Sequence, residues 1–282
     1  MTSPTVPYAR GRIEPGNIAQ LRADSYRRHG HILRALRATP PAAYDCRTQT
    51  PAFIPVLEET DDDQAQCGSC WDFSGTEVAE AAMMKAGLLT LDQRLSKQYT
   101  LDCGKNGGCG GDDNTNVLQW AQDTGLPLSA DYGTYKGSSG SCKYKSGMTL
   151  YKIGSWLFVD SNGGQGVTPT LDIKNALMNY GMIGCAVAAG SDWDNASATT
   201  TLTGRSTSID HDVAIVGWDD NHDNGDGTKG AWIVRNSWGP SWAMGGYIFM
   251  KYGADSIGTG AVAAICKGPI PPPNPIVLYW LI

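Results

Sequence analysis

The feature that most constrains this chain is a pair of closely spaced cysteines, Cys67 and Cys70, the second followed at once by Trp71. The stretch reads Gln64-Ala65-Gln66-Cys67-Gly68-Ser69-Cys70-Trp71, and residues 71–82 after it read as helix-forming. A thiol at that junction sits at a helix N-terminus, where the partial positive charge of the helix favours the thiolate. Two other uses of a Cys-x-x-Cys pair fit less well. A redox pair is disfavoured because a tryptophan follows the second cysteine and no strand reads before the first. A zinc site built from Cys67, Cys70, Cys103 and Cys109 would want two tight pairs, whereas five residues separate Cys103 from Cys109.

Further along, Asp210-His211-Asp212 precedes an apolar, β-branched run, Val213 to Trp218, which reads as a strand. A second run, Trp232-Ile233-Val234-Arg235, ends on Asn236-Ser237-Trp238-Gly239. His211 stands 211 − 70 = 141 residues after Cys70, and Asn236 stands 236 − 70 = 166 after it. On these three motifs, in this order, residues 41–268 resemble the papain-like (cathepsin-type) cysteine peptidases. Their nucleophile signature is Cys-Gly-Ser/Ala-Cys-Trp/Tyr, with histidine and asparagine about 130–150 residues downstream. The excess spacing to Asn236 falls in one polar stretch, Asp219 to Gly230, which reads as an enlarged hairpin loop.

The resemblance implies an α+β, two-lobe fold: a helical first lobe to about residue 150 and a β-rich second lobe over 151–268, with the active-site cleft between them. Helical patterns lie at about 70–86, 95–101 and 114–124, and at Leu171 to Met178 before Gly181. Tyr151 to Phe158 reads as a strand, as do 182–189, 212–218, 231–236, 246–251 and 261–266. Pro41 to Arg47 looks like the family's opening strand, with Cys46 where tryptophan is usual.

The resemblance also implies roles. Cys70 is the nucleophile, His211 the base, Asn236 the group that orients the imidazole, and Trp238 a cover over the His–Asn hydrogen bond. The oxyanion is expected to be held by the Gln64 side-chain amide and the Cys70 backbone N–H. Paired family motifs around Leu101-Asp102-Cys103 and Gly108-Cys109-Gly110-Gly111 imply the disulfides Cys67–Cys109 and Cys103–Cys142. Cys46, Cys185 and Cys266 are expected to be unpaired, with Cys185–Cys266 as a weaker alternative. Substrate contacts are expected at Gly110, Gly111, Asp112 and Asp113. The family has glycine and apolar residues after that turn. Asp112-Asp113-Asn114 here would either favour a basic substrate side chain or face solvent.

The implied activity is that of a cysteine endopeptidase on polypeptide substrates. Two alternatives are acyl transfer from the same thioester and a catalytically silent protein that uses the cleft for binding. No cofactor or metal is implied, and a monomer is expected. The loop Asp219 to Gly227 resembles a calcium loop only faintly. It lacks glycine at position 6 and glutamate at position 12 and reads as a polar hairpin.

Composition bears on partners. The 282 residues carry a formal charge of −6, distributed unevenly. Residues 1–40 hold seven arginines against Glu14 and Asp24, and the rest is acidic. A basic arm on an acidic body can dock on it, and in this family a pro-segment fills the cleft, running opposite to a substrate. Residues 1–40 are therefore expected to be a short pro-segment; the other reading is a solvated arm. Its stretch Asn17 to Arg37 has helical spacing interrupted at Gly30. Nucleic-acid binding is disfavoured by the acidic body. No apolar run approaches the roughly 20 residues of a membrane helix.

Disulfides favour a secreted or otherwise oxidising compartment, and Asn195-Ala196-Ser197 is a glycosylation sequon. Met1 to Tyr8 does not read as a signal peptide, which leaves a removed leader, another export route or the cytoplasm. Residues 269–282 read as a proline-rich linker and short apolar tail, either a docking strand or the stump of a longer chain.

Overall fold

The structure is a computed structural model that describes residues 8–35, 39–104, 107–160 and 166–266; the expected C-terminal tail lies outside them. The helices are α1 (Ile18–Ala35), α2 (Cys70–Lys85), α3 (Lys97–Cys103), α4 (Asn114–Asp123), α5 (Ser129–Tyr132), α6 (Thr170–Tyr180) and α7 (Ser191–Asp194). The strands are β1 (Ala43–Asp45), β2 (Ser155–Phe158), β3 (Ile183–Val187), β4 (Thr201–Leu202), β5 (His211–Asp223), β6 (Lys229–Arg235), β7 (Tyr247–Lys251) and β8 (Thr259–Ile265). This is the two-lobe α+β architecture expected: helices α2 to α5 first, then a sheet in the order β2-β8-β3-β5-β6-β7-β4, with β1 added on β5.

Helix α2 is the central element, and every residue from Cys70 to Met84 is buried. Its small residues let neighbours come close. A Cβ on Gly75 would sit 2.6 Å from the Val117 Cβ and 2.9 Å from the Asn114 carbonyl oxygen, so the crossing with α4 requires glycine there. Helix α3 starts where Ser96 caps it, accepting from the Tyr99 N–H at 3.2 Å. Helix α6 stops at Gly181, which takes φ 95°, a left-handed conformation open to glycine.

Three expectations are corrected. Helix α1 continues through Gly30 instead of breaking there. A mid-helix glycine costs only about 1 kcal/mol, and the space beside Gly30 is filled by the Tyr26 ring. Before β2, Tyr151 makes a single bridge to Leu126 and the strand begins only at Ser155. The presumed loop at Asp219 to Gly230 is mostly strand: β5 runs to Asp223, which pairs with Lys229 across a turn closed by the Asn224 N–H and the Thr228 carbonyl. Both faces of these arms turn polar beyond Trp218 (Asp219-Asp220-Asn221-His222-Asp223), which erases the alternation that marks a half-buried strand.

Both expected disulfides, Cys67–Cys109 and Cys103–Cys142, are present. Cys46, Cys70, Cys185 and Cys266 are free thiols, so the alternative Cys185–Cys266 bridge is not formed. Ahead of the helical lobe, α1 packs on β2, where the Ser25 hydroxyl accepts from the Phe158 N–H at 2.9 Å.

Candidate active site

Cys70 is the first residue of α2 and fully buried. Ser69 precedes it but does not cap the helix with its side chain; its hydroxyl instead pairs with the Tyr135 hydroxyl at 2.6 Å. The positive end of the helix is therefore left facing the thiol and whatever lies beside it. The turn that delivers Cys70 is tied twice to the Gly108–Gly110 turn of the same lobe, by Cys67–Cys109 and by the Gly68 N–H donating to the Cys109 carbonyl at 3.1 Å.

His211 and Asn236 come from adjacent strands. His211 begins β5 and Asn236 directly follows β6, and the register Ala214↔Arg235 brings them to the same end of the sheet. Nε2 of His211 lies 2.8 Å from Asn236 Oδ1. That oxygen also accepts from the Ser237 N–H at 2.8 Å, which fixes which way the amide points. Because Oδ1 can only accept, Nε2 carries the proton and Nδ1 keeps its lone pair. Nδ1 has no hydrogen-bond partner among the described residues. Trp238 lies 5.1 Å from the imidazole, centroid to centroid, and Trp193 meets it edge-on at 5.9 Å. Gln64 joins the same network: its Oε1 accepts from the Ser237 hydroxyl at 2.5 Å and its backbone N–H donates to the Ser237 carbonyl at 2.8 Å.

The cleft is filled by the chain's own residues 8–13. Tyr8 stacks on Trp238 with centroids 4.4 Å apart. The Ala9 carbonyl accepts from Gln64 Nε2 at 2.9 Å, a donor that also serves the Cys67 carbonyl. Gly11 crosses the Gly68 backbone, and its carbonyl accepts from the Asp112 N–H at 2.8 Å. The Ile13 N–H donates back to the Asp112 carbonyl at 2.7 Å, forming a parallel bridge around Arg12. Arg10 pairs with Asp194 at 3.0 Å, and Arg12 pairs with Asp113 at 2.7 Å and Asp212 at 2.6 Å.

Burial dominates the electrostatics of both Cys70 and His211. Burial, reinforced by the Asp212 charge, pushes the Cys70 thiol up to about 12. Burial also lowers the His211 imidazole to about 4, partly opposed by the Asn236 hydrogen bond. The expected depression of the thiol pKa is therefore reversed, even though the Gly11 backbone contact and the Arg12 charge pull it back down. Both groups are held neutral because water is excluded from around them.

Among the residues expected to contact substrate, Asp112 offers its backbone while its carboxylate accepts from the Asn116 amide at 2.6 Å. Asp113 turns its carboxylate to Arg12 and caps α4 through the Thr115 N–H at 2.9 Å. Gly111 packs on the Gly11 carbonyl, and Gly110 has open space where a side chain would be. Among the described residues, no three His, Cys, Asp or Glu side chains group as metal ligands.

Sequence reasoning missed two features. One is Asp212, whose carboxylate enters the cleft from the strand residue next to His211. The other is a buried knot of charge behind the site. Asp62 meets Arg94 at 2.8 Å, Arg235 at 2.7 Å and Lys97 at 3.4 Å; Glu77 meets Arg235 at 3.1 Å; Glu80 meets Arg94 at 3.1 Å. It ties the loop before Gln64 to α2, to the start of α3 and to the residue before Asn236. Adjacency to the motifs was visible; the partners, far apart in sequence, were not.

Residues 40–265 match the family described as papain family cysteine protease. Human cathepsin O is 31% identical over 201 residues, covering 69% of this chain and 58% of that protein. Cysteine proteinase 3 of Dictyostelium discoideum is 30% identical over 250 residues, covering 86% of this chain and 68% of that protein. The chain thus spans little more than half the length of the human relative. Among solved structures, bromelain protease from Ananas comosus in an inhibitor complex superposes with a TM-score of 0.67 at 25% identity, covering 80% of this chain and 100% of that one. Digestive procathepsin L2 proteinase of Tenebrio molitor shares the fold at a TM-score of 0.72 and 22% identity, over 92% of this chain and 78% of that one. The chain belongs to the papain family of cysteine proteases.

Proposed function

We propose that this protein is a cysteine endopeptidase held latent by its own N-terminal residues. One observation carries the reading: a backbone carbonyl, that of Ala9, already rests on the Gln64 side-chain amide inside the cleft. The site accepts extended polypeptide, with a carbonyl oxygen on the donor that the chemistry requires.

In the working enzyme the Cys70 thiolate attacks the carbonyl carbon of a bound peptide, and the carbonyl π electrons move onto oxygen. Gln64 and the Cys70 N–H stabilise that oxyanion. Collapse re-forms the carbonyl and breaks the C–N bond as His211 gives its proton to the leaving nitrogen, leaving a thioester on Cys70. Water then gives a proton to His211 and attacks the thioester. The C–S bond breaks, the acid departs and the thiolate returns. Asn236 keeps the proton on Nε2 of the neutral imidazole, so that Nδ1 can exchange protons with the thiol and the substrate. Trp238 and Trp193 shield that hydrogen bond from water.

Residues 8–13 block these steps. They occupy the Gln64 donor and exclude water, which leaves the thiol and the imidazole neutral. Their departure rehydrates the cleft and permits the thiolate–imidazolium pair.

The test is covalent labelling with a peptidyl epoxide or vinyl sulfone. We expect Gly11→Ala to label at Cys70 faster than the unaltered chain and to cut a peptide, with Cys70→Ala giving neither. Absence of labelling in the Gly11→Ala chain would favour a binding protein. Products joined to an added amine would indicate acyl transfer instead of hydrolysis.

A further inference from the structure

Arg12 occupies a pocket whose chemistry is unusual for a buried site. Its guanidinium lies between two carboxylates, Asp113 Oδ2 at 2.7 Å and Asp212 Oδ1 at 2.6 Å, and all three side chains are almost fully removed from solvent. The two acids come from different lobes, Asp113 at the head of α4 and Asp212 on β5. Among the described residues, neither makes a salt bridge with any other cation. Two desolvated carboxylates facing one another are costly to leave unpaired. When Arg12 departs, any side chain that refills the pocket must desolvate both carboxylates again, which favours a cation.

We propose that Asp113 and Asp212 form a specificity pocket that selects an arginine side chain in the peptide substrate, and that Arg12 is its resident mimic. The inference rests on the peptidase reading above. A guanidinium is a planar fork that can donate to both acids at once, which a lysine ammonium does less well and a leucine cannot do at all. A neutral side chain would bury both carboxylates without compensation.

The pocket's place relative to the thiol fixes which substrate residue it reads. Gly11 crosses the backbone just ahead of Cys70, and Arg12 is the next residue. Tyr8 and Arg10 lie over Trp238, on the His211 wall, where the leaving amine must be to receive its proton. The opposite side, where Asp112 clasps the backbone on both sides of Arg12, is then the acyl side. The selected arginine is the neighbour, on that side, of the residue whose carbonyl is attacked.

The test uses the full chain carrying Gly11→Ala and Arg12→Ala, which clears the cleft and leaves the pocket intact. Four peptides differ only at the pocket residue: arginine, lysine, citrulline and leucine. Citrulline keeps the shape of arginine and lacks its charge. We expect kcat/KM for arginine to exceed those for citrulline and leucine by at least tenfold. Adding Asp212→Asn, or Asp113→Asn, which retains a capping side chain for α4, should lower the arginine-to-leucine ratio by at least tenfold. Affinity for the same peptides, measured by calorimetry on the cleared chain with Cys70→Ala, gives a readout independent of hydrolysis and should show the same order. Hydrolysis with leucine or citrulline equal to arginine overturns the pocket. Arginine-selective binding without hydrolysis supports the pocket and sinks the peptidase reading. Should the Asn variants fail to fold, the arginine-to-citrulline comparison decides alone.

Discussion

Gly11 crosses the loop ahead of Cys70 where there is no room for a side chain: a Cβ there would sit 1.8 Å from the Gly68 carbonyl oxygen. Overpacking of this kind costs about 1–3 kcal/mol, roughly 5- to 160-fold in an equilibrium. Gly11→Ala in the intact chain should therefore raise the initial rate on a small peptide by that order; an unchanged rate would mean that residues 8–13 do not restrain activity. Gln64 carries a second expectation. Gln64→Ala removes one of the two proposed oxyanion donors and should lower kcat by about 10²–10³, with denaturation showing whether the fold is intact. Asp212 carries a third. Burial raises its carboxyl to about 7, the charge of Arg12 opposing that rise and the charge of Asp113 adding to it. With the segment still docked and alanine at position 12, Asp212 stays buried without that cation and its value must be higher still. The attraction is at full strength well above pH 7 and weakens as pH falls toward about 7. The rate ratio of Arg12→Ala to the unaltered chain should accordingly shrink between pH 9 and pH 6, and taking the ratio cancels the pH profile common to both.

At the level of elements, the β5–β6 pairing and the charge knot decide whether the site is assembled at all. His211 and Asn236 were legible because each stands beside a strand-like apolar run. Their meeting follows from antiparallel register, which motif spacing does not state. Arg235 shows the limit more sharply. It lies beside Asn236 in sequence, yet its partners Asp62 and Glu77 belong to a loop and to α2. Removing one member of a buried charge cluster strands the others, at a cost of about 3–5 kcal/mol. Arg235→Met should lower stability by that amount in urea denaturation. Burial opposes ionisation of Asp62, but Arg235, Lys97 and Arg94 outweigh it and hold its carboxyl well below the usual range. A depressed carboxyl contributes stability above its unfolded value near 4, and that contribution is lost as pH falls further. The urea midpoint should drop below about pH 4, and by less in Arg235→Met.

At the scale of the whole molecule, α1 rests on β2 while residues 8–13 pass through the cleft, so the basic N-terminal segment is anchored at one place and lies against the candidate site at another. Its arginines meet Asp113, Asp194 and Asp212, giving the charge asymmetry of the sequence a definite geometry. The two disulfides staple the helical lobe and fit an oxidising compartment. Cys103–Cys142 spans 39 residues, for which loop-closure entropy suggests about 4 kcal/mol. Replacing both cysteines with serine should lower the melting temperature of the lobe, and an unchanged melting curve would show that packing alone holds it.

By itself the sequence determined the family, the two-lobe α+β order, the disulfide pairs and the candidates Cys70, His211, Asn236 and Gln64. Each of these is written in a short local pattern whose chemistry tolerates little change. Only the tertiary structure decided that Ala9 meets Gln64 and that Arg12 meets Asp113 and Asp212. It likewise decided that Cys70 and His211 are buried, which raises the thiol pKa and lowers that of the imidazole. Such facts depend on which distant residues exclude water together, and burial is a property of packing that no neighbouring letters record.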